Sequence, residues 1–194
     1  QALQAAADAN NCFFIVDEVQ TGVGLTGKFW AHEHYGVRPD ALSFGKKTQT
    51  CGCLVGPKVD REPDNVFRTK SRINSTWGGN LTDMVRFQRM LEIIEEDRLV
   101  ENARVVGARL LSGLQAMEAE FPALVSNARG RGLMIAFDTA AEQRAAVLAK
   151  CLENGLLVLP CGSRSIRFRP PLTLSSSEAD QGLDILRRSL KSLH

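Results

Sequence analysis

No apolar run in the 194 residues approaches the roughly twenty needed to cross a bilayer, so no membrane partner is expected. An excess of charge of one sign is missing too. The 24 Lys and Arg against 22 Asp and Glu leave a net charge of +2, which gives no reason to expect nucleic acid or an anionic surface as partner. A disulfide framework is also absent: Cys12, Cys51, Cys53, Cys151 and Cys161 are odd in number and scattered. Free thiols, buried or half-buried, in a reducing cytoplasmic compartment are expected instead. Cys51 and Cys53 have no second Cys or His pair at zinc-ligand spacing, and His32 and His34 flank Glu33 without partner ligands, so no metal site is expected. Internal repeats and low-complexity stretches are lacking. The glycine-rich residues 21–27 lack the Gly-Lys-Ser/Thr ending of a phosphate-cradling P-loop and read as a well-packed turn.

What remains is an ordinary globular composition, 44% hydrophobic and 24% charged. The chain opens at Gln1 in an alanine-rich helical pattern, residues 1–10, which reads as the middle of a domain and hence as a truncated chain. The apolar run 12–16 suits a strand buried on both faces and ends in Asp17-Glu18. A strand at 41–44 ends in Gly45-Lys46-Lys47, and a third covers 54–55. Met84, Phe87, Leu91 and Ile94 give one apolar face to a helix starting near Thr82. A second helix covers about 101–119, with Val106, Leu110, Leu114 and Met117 inward. Beyond it the pattern predicts a strand at 133–137, a helix at 141–154 capped by Gly155, and strands at 156–159 and 165–168. A final helix opens on Ser175 and Glu178 at capping-box spacing, with Leu183, Leu186, Leu190 and Leu193 as its apolar stripe. The expected class is α/β: residues 1–81 end a large domain with a parallel or mixed sheet, and 82–194 form a connecting helix and a small α+β domain.

Taken singly, the polar residues at these strand ends have plain readings. Asp17 and Glu18 suit a cap or a solvated turn, Lys46 and Lys47 a solvated edge, and Arg167 and Arg169, on one strand face, surface ion pairs. Together, a sheet Asp, a strand-end Lys and a later Arg are the parts of an amino-group-transfer site. Pyridoxal phosphate needs a lysine amine for its Schiff base and a carboxylate to keep its pyridine nitrogen protonated, and an arginine can grip a substrate carboxylate with two parallel hydrogen bonds.

The segments Phe14-Ile-Val-Asp-Glu-Val-Gln-Thr-Gly22, Leu25-Thr-Gly-Lys28, Gly36-Val-Arg-Pro-Asp40, Phe44-Gly-Lys46, Ser75-Thr-Trp-Gly-Gly-Asn80, Arg129-Gly-Arg-Gly-Leu133 and Arg167-Phe-Arg-Pro-Pro-Leu172 resemble, in order, the C-terminal part of class III aminotransferases. That resemblance implies a fold-type I enzyme with pyridoxal 5'-phosphate as cofactor. Lys46 would be the Schiff-base lysine, while Lys47 stays free. Asp17, buried, would pair with the pyridine nitrogen, Val19 would pack on the ring, and Gln20 would lie close to cofactor and substrate. Thr76 would reach the cofactor phosphate of a neighbouring subunit, implying a homodimer with shared active sites. Asn74 would touch substrate, Arg167 would bind the substrate α-carboxylate, and Arg169 would be structural.

Three further stretches resemble members that act on the ε-amino group of L-lysine: Phe44-Gly-Lys-Lys-Thr-Gln49, Asn74-Ser-Thr-Trp-Gly-Gly-Asn-Leu-Thr-Asp83 and Val158-Leu-Pro160. The expected reaction passes that amine to 2-oxoglutarate, giving 2-aminoadipate 6-semialdehyde and L-glutamate. Ornithine, 4-aminobutyrate or another diamino acid is the alternative donor, and a catalytically dead dimerisation fragment is the alternative outside enzymes. Family members carry a further half, with a loop that grips the cofactor phosphate, an aromatic that stacks on the ring and a glutamate proposed to switch between substrates. None of these lies in the 194 residues, so this chain alone is expected not to turn over.

Overall fold

Residues 1–73 and 75–193 are described by the computed structural model. Its contacts divide the chain into two units: residues 1–23 with 28–98, and residues 24–27 with 99–194.

The first unit opens with α1 (Ala2–Ala9), which buries no side chain. A three-stranded sheet follows, built of β1 (Ile15–Asp17), β2 (Ala41–Phe44) and β3 (Gly52–Val55) in that order. β1 and β2 run parallel and β2 and β3 antiparallel, so the sheet is mixed. Strand alternation gives its two faces different fates. Val16, Leu42 and Phe44 turn to the covered face, where Phe44 stacks on Phe87 at 5.4 Å between ring centroids and meets Trp30 at 6.3 Å. Ile15, Ala41 and Val55 align on the other face around a hollow of about 510 Å³, and Ile15 stays 65% exposed. The expectation of a strand buried on both faces is therefore corrected: the Ile15 face is left largely open, with residues 59–67 only lining the far side of the hollow. α2 (Leu81–Glu96) starts where Asn80 accepts a hydrogen bond from Thr82 N at 2.9 Å, satisfying one of the free N–H groups of the first turn.

The second unit is a four-stranded antiparallel sheet in the order β4 (Ser126–Arg131), β5 (Met134–Asp138), β7 (Ser165–Phe168), β6 (Leu159–Cys161). Helices α3 (Leu99–Glu120) and α4 (Ala141–Glu153) pack on it, and α5 (Ser176–Lys191) packs against both helices. The expected stripe of α3, Val106, Leu110, Leu114 and Met117, is buried, as are Leu183, Leu186 and Leu190 of α5. The Ser175–Glu178 capping box forms. Gly107 lets α3 approach the β4–β5 turn so closely that a Cβ there would lie 2.0 Å from Gly132 O.

Two strand expectations need correction. β4 is absent from the expected strands, because Ser-Asn-Ala-Arg-Gly-Arg carries no apolar alternation. The strand expected at 156–159 lies instead at Leu159–Cys161. Gly155, left-handed at φ 87, ends α4, and Leu156 N donates to Cys151 O at 2.8 Å, so Leu156 closes the helix rather than opening a strand. All five cysteines are free as expected, but only Cys151 is buried.

Candidate active site

At the carboxyl ends of β1 and β2, in the first unit, the parallel register sets Asp17 directly beside Ser43. Ser43 Oγ donates to Asp17 Oδ1 at 2.8 Å, and Val19 N donates to the same oxygen at 2.9 Å. Asp17 Oδ2 has no hydrogen bond among the described residues. The Val19 N–H, then the Ser43 hydroxyl, outweigh the small cost of burial and hold the Asp17 carboxyl below its ordinary range, with the Lys46 ammonium adding to the effect. Asp17 is exposed, not buried as expected, because it shares the uncovered face with Ile15.

Lys46 follows β2 at the start of the 3-10 turn Lys46–Thr48 and takes a left-handed backbone, φ 57. Gln49, closing that turn, is left-handed as well at φ 54. Non-glycine residues in this region carry backbone strain, which clusters at functional sites. Thr48 anchors the turn: it is fully buried, and its Oγ1 donates to Thr50 O at 2.7 Å. Gly45 leaves room for Cys51, whose Sγ lies 2.8 Å from where a Cβ would stand. The Lys46 side chain is exposed, near enough to Asp17 to lower its pKa, and makes no hydrogen bond among the described residues. Lys47, not expected to hold the cofactor, has its Nζ donating to Gln20 O at 2.8 Å.

Glu18 is the residue the sequence reading missed. Expected in a cap or solvated turn, it is 1% exposed. Its carboxylate accepts from Thr21 Oγ1 at 2.5 Å, Ala31 N at 3.1 Å and His32 N at 2.8 Å, and pairs with His32 Nδ1 at 3.1 Å. It thus ties the segment after β1 to the short 3-10 helix Ala31–Tyr35. Nothing in an Asp-Glu pair distinguishes the partner that turns inward, except the alternation of the strand before it.

Thr76 is exposed in a turn and makes no hydrogen bond with Asp17 or Lys46 among the described residues. Asn74 lies outside the described residues. Arg167 belongs to the second unit, in the middle of β7 between Ala136 of β5 and Leu159 of β6. Its Nε is buried without a hydrogen-bond partner. A buried guanidinium N–H left unpaired is costly, and an acid that fills the place removes the cost. Arg169 has partners of its own.

The donor set of the first unit fits pyridoxal phosphate. An anionic Asp17 with one oxygen uncommitted can accept from a protonated ring nitrogen, and a lysine amine stands near it.

The known proteins to which this chain is similar include several aminotransferases. The L-lysine-epsilon aminotransferase of Amycolatopsis lactamdurans is 50% identical over 194 residues, matching 99% of this chain and 43% of its own length. The enzyme of the same description from Mycobacterium tuberculosis is 48% identical over 191 residues, 97% of this chain and 42% of its own. The chain thus spans less than half the length of these relatives. Among solved structures, the lysine aminotransferase of M. tuberculosis in the internal aldimine form superposes with a TM-score of 0.95 at 46% identity, over 100% of this chain and 45% of that one. The ornithine aminotransferase of Plasmodium yoelii gives 0.89 at 27% identity, over 100% of this chain and 52% of that one. The family model described as aminotransferase class-III runs from residue 1 to residue 190, and this chain belongs to that family.

Proposed function

We propose that this chain supplies the Schiff-base lysine and the pyridine-pairing acid of a lysine ε-aminotransferase that uses pyridoxal 5'-phosphate. The observation that carries the reading is the strained, exposed Lys46 beside an Asp17 held anionic by Val19 and Ser43. The bound cofactor would supply an electron sink for the carbanion left when a substrate C–H proton departs.

The chain's own groups then have distinct tasks. Asp17 keeps positive charge at the ring nitrogen through a charge-assisted hydrogen bond. Val19 packs on the ring, and Gln20 lies beside the reacting centre. Lys46 Nζ, as a free amine, takes the proton from the ε-carbon of lysine and returns it as general acid. Arg167 grips the α-carboxylate of lysine, 2-oxoglutarate or glutamate, so lysine presents its far amine to the cofactor. Thr76 reaches the phosphate held by a partner subunit, and Asn74 touches substrate. The products are 2-aminoadipate 6-semialdehyde and L-glutamate. A cofactor-binding portion at 1–81, then a connecting helix and small domain within 82–194, in a cytoplasmic homodimer, complete the proposal. The roughly 50% identity to enzymes described as acting on lysine supports the choice of donor over ornithine.

The test is the lysine half-reaction in the full reading frame. With pyridoxal phosphate bound and no 2-oxoglutarate, L-lysine should bleach the visible band, and ornithine or 4-aminobutyrate should do so only slowly. A band indifferent to lysine overturns the substrate. A Lys46→Ala protein that still turns over overturns the lysine assignment.

A further inference from the structure

Three consecutive residues of the Lys46–Thr48 turn have three destinations, as the threefold repeat of a 3-10 turn requires. Lys46 stands exposed near Asp17, Thr48 is buried in the unit, and Lys47 crosses to the segment after β1, where its ammonium meets the Gln20 carbonyl at 2.8 Å. That carbonyl lies in the irregular stretch after β1. The other side of the stretch is fixed by the buried Glu18 carboxylate and by Gly22 N donating to Glu18 O at 2.8 Å. The segment carrying Asp17, Val19 and Gln20 is therefore held from two sides, by Glu18 and by Lys47.

We propose that Lys47 is a positioning residue: its ammonium, seated on the Gln20 carbonyl, fixes Gln20 relative to the turn that carries Lys46. This rests on the proposed roles of Lys46 and Gln20. A cation held on a backbone carbonyl sets a separation between two loops, and small displacements of a substrate-facing group have large effects on rate. Arginine can make the same donation, whereas methionine keeps the apolar stem and removes the donor.

The experiment uses the full reading frame with bound pyridoxal phosphate, as wild type, Lys47→Met and Lys47→Arg. Borohydride trapping followed by peptide mapping identifies the lysine that holds the cofactor. The position of the visible band, KM and kcat for L-lysine, and Tm are then compared. For Lys47→Met the expected result is cofactor still trapped on Lys46, an unchanged Tm, a displaced band and a KM for L-lysine raised on the order of tenfold. Lys47→Arg should restore both band and KM. A Lys47→Met protein with wild-type band and KM overturns the proposal. So does a loss of Tm that Lys47→Arg repairs while band and KM stay altered. Failure of the underlying reading is recognisable separately, because wild type would then trap no cofactor on Lys46.

Discussion

Ser43 Oγ reaches across from β2 to Oδ1 of Asp17 on β1 at 2.8 Å, the same oxygen that accepts from Val19 N. The two strand ends are laced together at the carboxylate that the proposed chemistry needs ionised. Its folded pKa is depressed, so cofactor retention through Asp17 should persist as pH falls through the usual carboxylate range and be lost only when pH passes the lowered value. Ser43→Ala removes one of the two donors. The acid limb of cofactor retention should move to higher pH, and affinity for pyridoxal phosphate at neutral pH should fall roughly fivefold. A spectrophotometric titration of cofactor against pH measures both, and a Ser43→Ala limb that coincides with wild type rejects the role.

Arg167 carries a buried Nε with no partner among the described residues. Arg167→Ala should raise KM for both L-lysine and 2-oxoglutarate by on the order of a hundredfold, the range for a lost charge-assisted pair. Arg167→Lys should recover little, since a point charge does not reproduce a two-pronged grip. Steady-state kinetics with each substrate varied decide it, and unchanged KM values remove Arg167 from this role.

Asp138 is a buried hub of the second unit. Burial alone would raise its pKa, but hydrogen bonds from Ser165, Asn127 and Arg129 prevail and lower it to about 2. Because the folded value lies below the unfolded one, the stability it confers is present above ~pH 4 and vanishes as pH falls towards 2. Asp138→Ala should cost about 3 kcal/mol at pH 7, leaving Ser165, Asn127 and Arg129 donors unpaired. Urea unfolding at pH 7 and pH 3 checks this: the gap between wild type and variant should narrow at the lower pH.

Gly107 lets α3 lie close against the backbone of the β4–β5 turn. Gly107→Ala puts a methyl 2.0 Å from the Gly132 carbonyl oxygen, which belongs to backbone that cannot rotate away. The expected cost is about 3 kcal/mol, at the upper end for overpacking. Thermal unfolding measures it, and a Tm equal to wild type contradicts the packing described.

Where the chain repeats a simple period, the sequence is readable. α3 and α5 were recovered with their buried stripes, and β2 and β7 with their bounds, because apolar spacing reports which side meets the core. β4 was not, since a strand held by backbone pairing and by Arg129 and Asn127 contacts to Asp138 needs no apolar alternation. Lys46 and Asp17 could be proposed from their places at strand ends and from family resemblance. Ser43 could not, because only the parallel register puts it beside Asp17. The different fates of Asp17 and Glu18, and of Lys46 and Lys47, follow from strand and turn geometry rather than residue type.

Residues 24–27 pack with the second unit although residues on either side of them belong to the first. Leu25 is buried there, and its carbonyl accepts from Leu133 N at 2.9 Å. During synthesis this loop leaves the ribosome long before α3, β4 or β5 exist, so it must wait with an apolar side chain and an unpaired carbonyl until they arrive. Closing a loop of that length is entropically costly and slow compared with local helix formation. The second unit's core is thus completed by a piece of chain made early. A protease cut on either side of Leu25, or a circular rearrangement that moved residues 24–27 elsewhere, would loosen the place that Leu25 fills in that core.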